Sequence, residues 1–323
     1  RLRCDWSSDV CSSDLAVLRT QFSQNVLSEV NAMAIVVDSR EELTGLDEAT
    51  ITAAGEEAIK RDLAGKYVIP LRNTSGQPAL ASLQNRSLRE RMHRTSLSRG
   101  SHGGEFDNRE ILSKVLRLRS ERAQLLGYET HADYILEDQT AQSVAAVNRR
   151  LAELAPPAAA NARREAAALQ QMIEEEGGDF ELASWDWDFY AEKLRAARYD
   201  FDAAELRPYF EIDNVLRKGV FYAAERLYGI RFEERTDLPV YQEDVRVFEV
   251  YDSQGATLAI FIADYYARPS KRGGAWMNAY ISQNSLLNTQ PIVANHLNIT
   301  KPPAGEPTDR KSTRLNSSHT STS

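Results

Sequence analysis

Residues 257–267 read TLAIFIADYYA, and this stretch decides how the second part of the chain folds. β-Branched and aromatic residues dominate it, as is typical of strands. Turn-forming segments bound it on both sides, DSQG at 252–255 and RPSKRGG at 268–274. Because both of its faces are apolar, we predict a central strand that is covered on both sides.

Three similar runs surround this strand: VRVFEVYD (245–252), GAWMNAYISQ (274–283) and QPIVANHLNIT (290–300). Their β-branched and aromatic residues, and the turn signals between them, predict a small β-sheet that begins after Gly229. We therefore expect a β-rich region over residues 231–308.

Residues 16–230 have apolar residues at three- and four-residue intervals, which predicts a helical body. Asp47 lies near a helix start and Pro78 in a first turn, where each is favoured. Pro156 and Pro157 interrupt the longest helical segment and are expected to kink it or split it in two. The predicted helices cover residues 16–37, 46–64, 78–99, 107–128, 130–139, 143–177, 185–201 and 211–230, with an extended piece at 66–71, a turn at 73–78 and a flexible link at 98–106.

The composition is that of an ordinary soluble globular protein, with 42% hydrophobic and 27% charged residues in a chain of 323. No apolar run approaches the roughly 20 residues of a membrane span. The formal net charge is −8, and the basic residues are scattered, so no basic patch for nucleic acid or an anionic membrane is visible. Peptides or small molecules are the expected partners.

The two ends of the chain are related to each other. Codons for DWSSDVCSSDL (5–15) can be chosen so that their reverse complement, read in another frame, encodes DRKSTRLNSS (309–318) and continues to His319. The shared DNA sequence resembles a common sequencing-library adapter. We therefore expect residues 1–15 and 309–323 to be adapter-derived. The alternative is a pair of natural disordered tails, which their serine and charge content would allow.

The five histidines are His93, His102, His131, His296 and His319. None belongs to an HExxH motif, in which two imidazoles one helical turn apart bind zinc and the glutamate acts as base, so the spacing predicts no metal site. We expect His93 and His131 on helix surfaces. For His296 we favour packing within a strand over a role in a site.

The segment WDWDFY (185–190) places Asp186 and Asp188 two residues apart, beside two tryptophans. Such a pair of carboxylates could serve glycoside hydrolysis. However, residues two apart on a helix point to different sides, and aspartate often starts a helix. We therefore favour helix capping with aromatic packing.

The segment KRGGAWMNAY (271–280) carries two glycines at the entry to a strand. Glycines there usually mark a bulge or a place where another backbone approaches closely. A strand edge with small side chains can accept an extended peptide as an added strand through main-chain hydrogen bonds. A loop-to-strand junction without a ligand is the equally weighted alternative on these residues alone.

Several long stretches resemble the thimet-oligopeptidase-like family of zinc metallopeptidases, and within it the bacterial peptidyl-dipeptidases related to oligopeptidase A. Together they span nearly all of residues 16–308. The stretches are IPLRNTSGQPALASL (69–83), LLGYETHADY (125–134), WDWDFYAEKLR (185–195), LRPYFEIDNVLRKGVFYAAERLYGI (206–230), LPVYQEDVRVFEVYD (238–252), KRGGAWM (271–277) and TQPIVANHLNITKPPAGEP (289–307).

The resemblance implies a mainly α-helical, two-lobed body around a deep channel, leading into a small β-sheet that begins a zincin-type catalytic domain. In the family, GEP is followed by an HEFGH helix and later by a glutamate zinc ligand, whereas here Pro307 and Thr308 run into the adapter-like tail. The resemblance also implies that Gly274, Ala275 and Trp276 contact the substrate backbone.

We therefore expect an inactive fragment of a zinc-dependent peptidase that releases dipeptides from the C-termini of short peptides. Zinc, its ligands and the catalytic base are expected in the full-length parent and not in this chain. The alternative is a non-catalytic helical peptide-binding or scaffold protein. We further expect a monomer with short peptides as partners and a cytoplasmic location, with the periplasm as the alternative because the true N-terminus is expected to be missing.

Overall fold

The computed structural model describes residues 6–72, 76–199, 209–299 and 301, with only the backbone for residues 6–11. The chain divides into two compact units. The first contains the residues up to Gly45, Val68–Leu71 and Ala79–Ala197; the second contains Leu46–Tyr67, Arg72–Pro78 and the residues from Arg198 onward.

The described residues form eight α-helices, seven strands and several short helical turns. The helices are α1 (Trp6–Ala32), α2 (Glu48–Ile59), α3 (Arg86–Leu97), α4 (Arg109–Leu125), α5 (His131–Leu136), α6 (Val144–Glu175), α7 (Trp187–Tyr199) and α8 (Tyr222–Tyr228). The strands are β1 (Ile35–Val37), β2 (Tyr67–Ile69), β3 (Arg231–Glu234), β4 (Arg246–Tyr251), β5 (Thr257–Tyr266), β6 (Trp276–Ile281) and β7 (Ile292–Ile299). The mainly α architecture with a small sheet confirms the predicted fold class.

Capping explains several helix ends. Asp47 caps α2 as predicted, because its side chain accepts a hydrogen bond from the Thr50 backbone N–H. Gly229 closes α8 in the left-handed conformation, with φ of 69°, which glycine adopts without strain.

The prediction of one helix over residues 16–37 is wrong at its C-terminal end. The helix ends at Ala32, and β1 follows and pairs with β2 in a two-stranded sheet. The residues of β1 are Ile-Val-Val, whose β-branched side chains favour an extended chain once a partner strand is present. That partner, β2, is the extended piece predicted at 66–71.

The prediction of one helix over residues 78–99 is also wrong. A 3₁₀ turn covers Pro78–Ala81, and α3 begins only at Arg86. The side chain of Asn85 accepts a hydrogen bond from the Leu88 N–H and so starts a new helix.

The predicted break at Pro156 and Pro157 does not split the helix, since both lie inside the 32-residue α6. Alanine, the strongest helix former, dominates the residues that follow, and each arm is long enough to persist on its own side of the prolines.

The main sheet has the strand order β3-β4-β5-β7-β6. All neighbours are antiparallel except β5 and β7, which are parallel. The predicted central position of β5 is confirmed, although Leu258 and its neighbours are not fully covered within the described residues. Strand β3 was not predicted, because apolar and polar residues alternate only weakly in its sequence RFEE, which has the composition of a loop.

One face of the main sheet packs against a π-helical stretch, Asn214–Phe221, that precedes α8. The buried cluster there joins Ile212, Leu216 and Phe221 to residues of three strands, namely Phe248, Ala263, Tyr265 and Ile299. Since side chains alternate along a strand, Asp264 lies on the other face from Ala263 and Tyr265. The cluster therefore fixes which face of the sheet carries Asp264.

The first unit has its own apolar clusters. One joins α6 to α7 through Leu169, Ile173, Phe189 and Tyr190. Another joins α1 to α4 through Leu15, Ile111 and Val115. Helix α1 is continuous across residue 15, and the adapter origin of residues 1–15 stays a prediction.

Some predictions lie outside the described residues. These are residues 1–5 of the N-terminal segment, the turn residues 73–75, residues 200–201 of the helix predicted at 185–201, residues 206–208 of the resembling stretch 206–230, Thr300, and everything from 302 onward, including the GEP segment and the serine-rich end. Within the described parts, no helix combines the length and the apolar character needed to cross a membrane.

Candidate peptide-binding edge

Strand β6 lies at one end of the main sheet. It pairs antiparallel with β7, with Trp276 opposite His296 and Met277 opposite Asn295. Within the described residues no strand pairs with its other side. Met277 and Tyr280 expose more than half of their surface. Such an edge offers unpaired main-chain donors and acceptors to an extended peptide.

The chain enters β6 through a loop that is held by a side chain of the neighbouring strand. The Asn298 Nδ2 group donates to the carbonyl oxygens of Arg272 at 2.9 Å and Gly274 at 2.7 Å. Gly274 has φ of 94°, and nothing lies within 4 Å of the position that a Cβ atom would take. The backbone conformation therefore favours glycine, and the space beside it is open.

Trp276, the first residue of β6, stacks on His296 with ring centroids 4.7 Å apart and an interplanar angle of 16°. The Arg272 guanidinium carbon lies 4.6 Å from the Trp276 ring centroid, a cation–π contact. These contacts fix the orientation of the indole at the start of the open edge.

Asp264 of β5 organises the polar groups behind this edge. It is 2% exposed, and its carboxylate accepts hydrogen bonds from Arg268 at 2.6 and 2.9 Å, from Lys271 at 2.8 Å and from the Tyr241 hydroxyl at 2.8 Å. The His296 Nδ1 atom lies 3.2 Å from Asp264 Oδ2. Because an ionised carboxylate only accepts, Nδ1 carries the hydrogen, and the other nitrogen, Nε2, faces the Tyr280 hydroxyl at 3.4 Å.

These contacts shift the pKa values of the groups involved. Burial alone would raise the pKa of Asp264, but the hydrogen bonds from Arg268, Lys271 and Tyr241 outweigh it and lower that pKa. Burial lowers the pKa of His296 and outweighs the opposing effect of Asp264. Burial likewise lowers the pKa of Lys271. Near neutral pH the network therefore holds an ionised aspartate and a neutral histidine.

The same contacts make this network unsuitable for a metal ion. Among the described residues, no three histidine, cysteine, aspartate or glutamate side chains lie close enough to hold a metal. Asp264 and His296 form only a pair, and Arg268 and Lys271 already occupy the carboxylate with positive charge. A divalent cation would be repelled here. The described residues of this network do not fit a zinc site of the kind expected for the family that the sequence resembles.

The three residues predicted to contact substrate lie together at the start of the edge. Gly274 is exposed, and Ala275 and Trp276 are half-buried. Sequence reasoning did not assign the groups that support them, namely Asp264, Lys271 and Asn298. An aspartate inside the apolar run TLAIFIADYY was the available signal, because a buried carboxylate needs partners.

The other candidate residues have structural contacts. His296 is 4% exposed, which confirms packing. His93 and His131 lie on helices and are half-buried. Asp186 is fully buried directly before α7, and its carboxylate binds Arg86 at 2.9 Å, Arg89 at 2.8 Å and the Ala183 N–H at 3.2 Å. Its side chain serves an internal ion-pair network with two arginines.

Comparison with known proteins agrees with the resemblance. The profile of "Peptidase family M3" matches residues 79–309. Dipeptidyl carboxypeptidase of Escherichia coli K12 is 40% identical over 298 residues, which cover 92% of this chain and 44% of that protein. Oligopeptidase A of the same organism is 35% identical over 300 residues, covering 91% and 44%. Probable thimet oligopeptidase of Arabidopsis thaliana is 30% identical over 165 residues, covering 51% and 23%.

The chain thus spans less than half the length of the curated relatives it matches. The family match covers well over half of this chain and includes β6, the Asp264 network and Asn298. The chain belongs to peptidase family M3, a family of metallopeptidases.

Proposed function

We propose that the protein to which this chain corresponds hydrolyses short peptides and releases dipeptides from their C-termini. Two observations support this: the names of the relatives, dipeptidyl carboxypeptidase and oligopeptidase A, and the open edge of β6. The edge carries the proposal, because main-chain pairing accepts peptides with little regard to their side chains.

In this proposal the substrate lies extended along β6, with its backbone near Gly274, Ala275 and Trp276. The open space beside Gly274 lets a peptide backbone approach, and Asn298 fixes the loop by donating to the Arg272 and Gly274 carbonyls. Holding a substrate in a fixed extended form can lower a reaction barrier by several kcal/mol, roughly 7–11 in the best cases.

In this proposal the zinc ion belongs to the full-length enzyme, and this chain supplies none of its ligands. We propose that the 323-residue chain binds peptides as a cytoplasmic monomer and does not hydrolyse them. A non-catalytic peptide-binding protein is the second candidate, and the same open edge favours it.

Binding is tested with a fluorescently labelled, N-blocked tetrapeptide and the purified chain by fluorescence anisotropy. We expect saturable binding. An edge strand forms hydrogen bonds with every second residue of the added peptide. Methylation of the backbone nitrogens at one set of alternate positions should therefore weaken binding, whereas methylation at the other set should have little effect. Absence of binding, or an equal loss of affinity after methylation of either set of nitrogens, would refute peptide binding along β6.

Hydrolysis is tested separately by mass spectrometry of the peptide and by zinc analysis of the purified chain. Turnover with stoichiometric zinc would overturn the proposed inertness. Genomic DNA read beyond the codon for Thr308 distinguishes the two candidates: continuation into HEFGH supports the peptidase, and a stop codon supports the binding protein.

A further inference from the structure

Three side chains in the first unit form a hydrogen-bonded series that plays no part in the peptide-binding edge. Ser98 Oγ lies 2.6 Å from His102 Nε2, and His102 Nδ1 lies 3.0 Å from Glu29 Oε1. Ser98 and His102 belong to the link between α3 and α4, whereas Glu29 lies on α1. A hydroxyl, an imidazole and a carboxylate in this order are the parts of an activated nucleophile.

The chemistry of the carboxylate fixes the direction of the hydrogen bonds. An ionised Glu29 can only accept, so His102 Nδ1 carries a hydrogen. In the neutral imidazole the other nitrogen, Nε2, then has a lone pair that faces Ser98 Oγ. The hydroxyl hydrogen has three acceptors within reach, namely this lone pair at 2.6 Å, the Arg94 carbonyl oxygen at 2.7 Å and the more distant Thr95 carbonyl oxygen at 3.5 Å. When the hydroxyl hydrogen points to His102, the imidazole is placed to act as a base on the serine.

The carboxylate is itself held in place. Glu29 is 3% exposed, and its second oxygen, Oε2, accepts a hydrogen bond from the Gly100 N–H of the same link. This contact orients the carboxylate toward His102, so that its negative charge can stabilise an imidazolium. Arg99 also lies close enough to Glu29 for their charges to interact, and its guanidinium donates to the Leu71 carbonyl at 2.9 Å.

Access to the serine limits the compounds that could react. Ser98 is half-buried and the His102 side chain is 26% exposed, so a small molecule can reach both from solvent. The cavity beside Glu29 and His102 measures about 10 Å³, which admits no more than a water molecule. The nearby Gly100 and Ser101 N–H groups are already bonded, to Glu29 and to the Ser98 carbonyl. Only substrates with good leaving groups therefore suit the site.

We propose that Ser98 is a nucleophile with His102 as its general base and Glu29 as a positioning residue, and that it accepts acyl or phosphonyl groups from small activated esters and phosphonofluoridates. Ser98 Oγ forms a bond to the carbonyl carbon or phosphorus, and its proton passes to His102 Nε2. The bond to the leaving group breaks, and aryloxide or fluoride departs with the bonding electron pair. In the acyl case, His102 passes this proton to the departing aryloxide, water then attacks the acyl carbon, and the ester bond to Ser98 Oγ breaks to give the acid and the free hydroxyl.

The test labels the full 323-residue chain with a fluorophosphonate probe and locates the adduct by peptide mass spectrometry. We expect an adduct at Ser98 that forms at least about 10²-fold faster than one at Ser101, given the usual contribution of a general base. Ser101 is an internal control, because its hydroxyl donates to the Ser98 carbonyl and has no imidazole partner. Ser101→Ala should leave labelling unchanged, and Ser98→Ala should abolish it.

His102→Ala should lower the labelling rate by about 10²-fold, and added imidazole should restore part of it, which a purely structural role would not show. An unmodified Ser98 in the wild-type chain, or labelling no faster than at Ser101, would overturn the proposal without recourse to any variant. Because the reaction does not involve β6, it succeeds or fails independently of peptide binding.

Discussion

Asp264 and His296 lie directly opposite each other on the parallel strands β5 and β7, with Oδ2 and Nδ1 3.2 Å apart. Trp276 of β6 is the next residue across the sheet and stacks on His296. One buried carboxylate thus connects the centre of the sheet to its open edge, because it orients the ring on which the first residue of that edge rests.

Replacing Asp264 by asparagine should destabilise the second unit by about 3–5 kcal/mol, because Arg268 and Lys271 would lose their shared counter-charge in a buried position. Urea unfolding followed by circular dichroism measures the change. Glu243→Gln is the matched control, since Glu243 is exposed, and should shift stability by less than about 0.5 kcal/mol. Equal small effects in the two variants would contradict the assigned network.

The stability of the second unit should depend on the protonation of His296. Burial lowers the folded-state pKa of His296 below its ordinary value of 6.5, so the unfolded chain takes up the proton first as the pH falls. The contribution of His296 is complete above about pH 6.5 and is lost as the pH drops through the folded-state pKa.

Urea unfolding between pH 7.5 and pH 5 should therefore show wild-type stability falling relative to His296→Gln over this range. The charged and titratable groups facing the ring are Asp264, Lys271, Arg268 and Tyr280, and they are present in both proteins. An imidazole that titrates above pH 6.5 by NMR would contradict the expected direction.

Gly274→Ala should destabilise the protein by about 1 kcal/mol, because φ of 94° is strained for any residue with a Cβ atom even where space is free. Gly219→Ala is the matched control. It lies in the π-helical stretch, where φ is not positive and nothing lies within 4 Å of an added Cβ atom, and should stabilise by about 0.5–1 kcal/mol. Thermal unfolding should give opposite signs; a shared sign would contradict the assigned conformation of Gly274.

Asp186→Asn and Asp188→Asn should differ sharply although the residues are two apart. Asp186 binds Arg86 and Arg89 in a buried position, so its loss should cost about 3–5 kcal/mol. Asp188 lies in the first turn of α7, where a negative charge stabilises by roughly 0.3–1 kcal/mol through the helix dipole. Chemical denaturation of both variants measures the free energy of unfolding. Similar losses of stability would contradict a buried ion pair for Asp186 and a helix-dipole interaction for Asp188.

Much of the architecture could be predicted from local patterns. Helical periodicity located most of the helices, and β-branched, aromatic runs located four of the five strands of the main sheet. Predictions failed where a local choice depended on a distant partner. The segment Ile35–Val37 is a strand because Tyr67–Ile69 lies beside it. Asn85 starts a new helix within a segment whose periodicity favours a single continuous helix.

The candidate site shows the same division. Two glycines before a strand marked the entry to β6, and the resemblance assigned Gly274, Ala275 and Trp276. The sequence could not indicate that Asn298 holds this loop from 24 residues away, or that Asp264 binds Lys271, because hydrogen-bond partners are chosen by the pairing of strands.

The sequence by itself determined the family, the helical and β-rich regions, and the acidic character that leaves no basic patch, because periodicity, composition and motif are local properties of the chain. Only the tertiary structure decided that β6 is an edge, that Asp264 is shared by two cations, and that Ser98, His102 and Glu29 meet. Each of these depends on the order of strands or the approach of distant segments, which is set by the burial of whole faces and not by any single stretch.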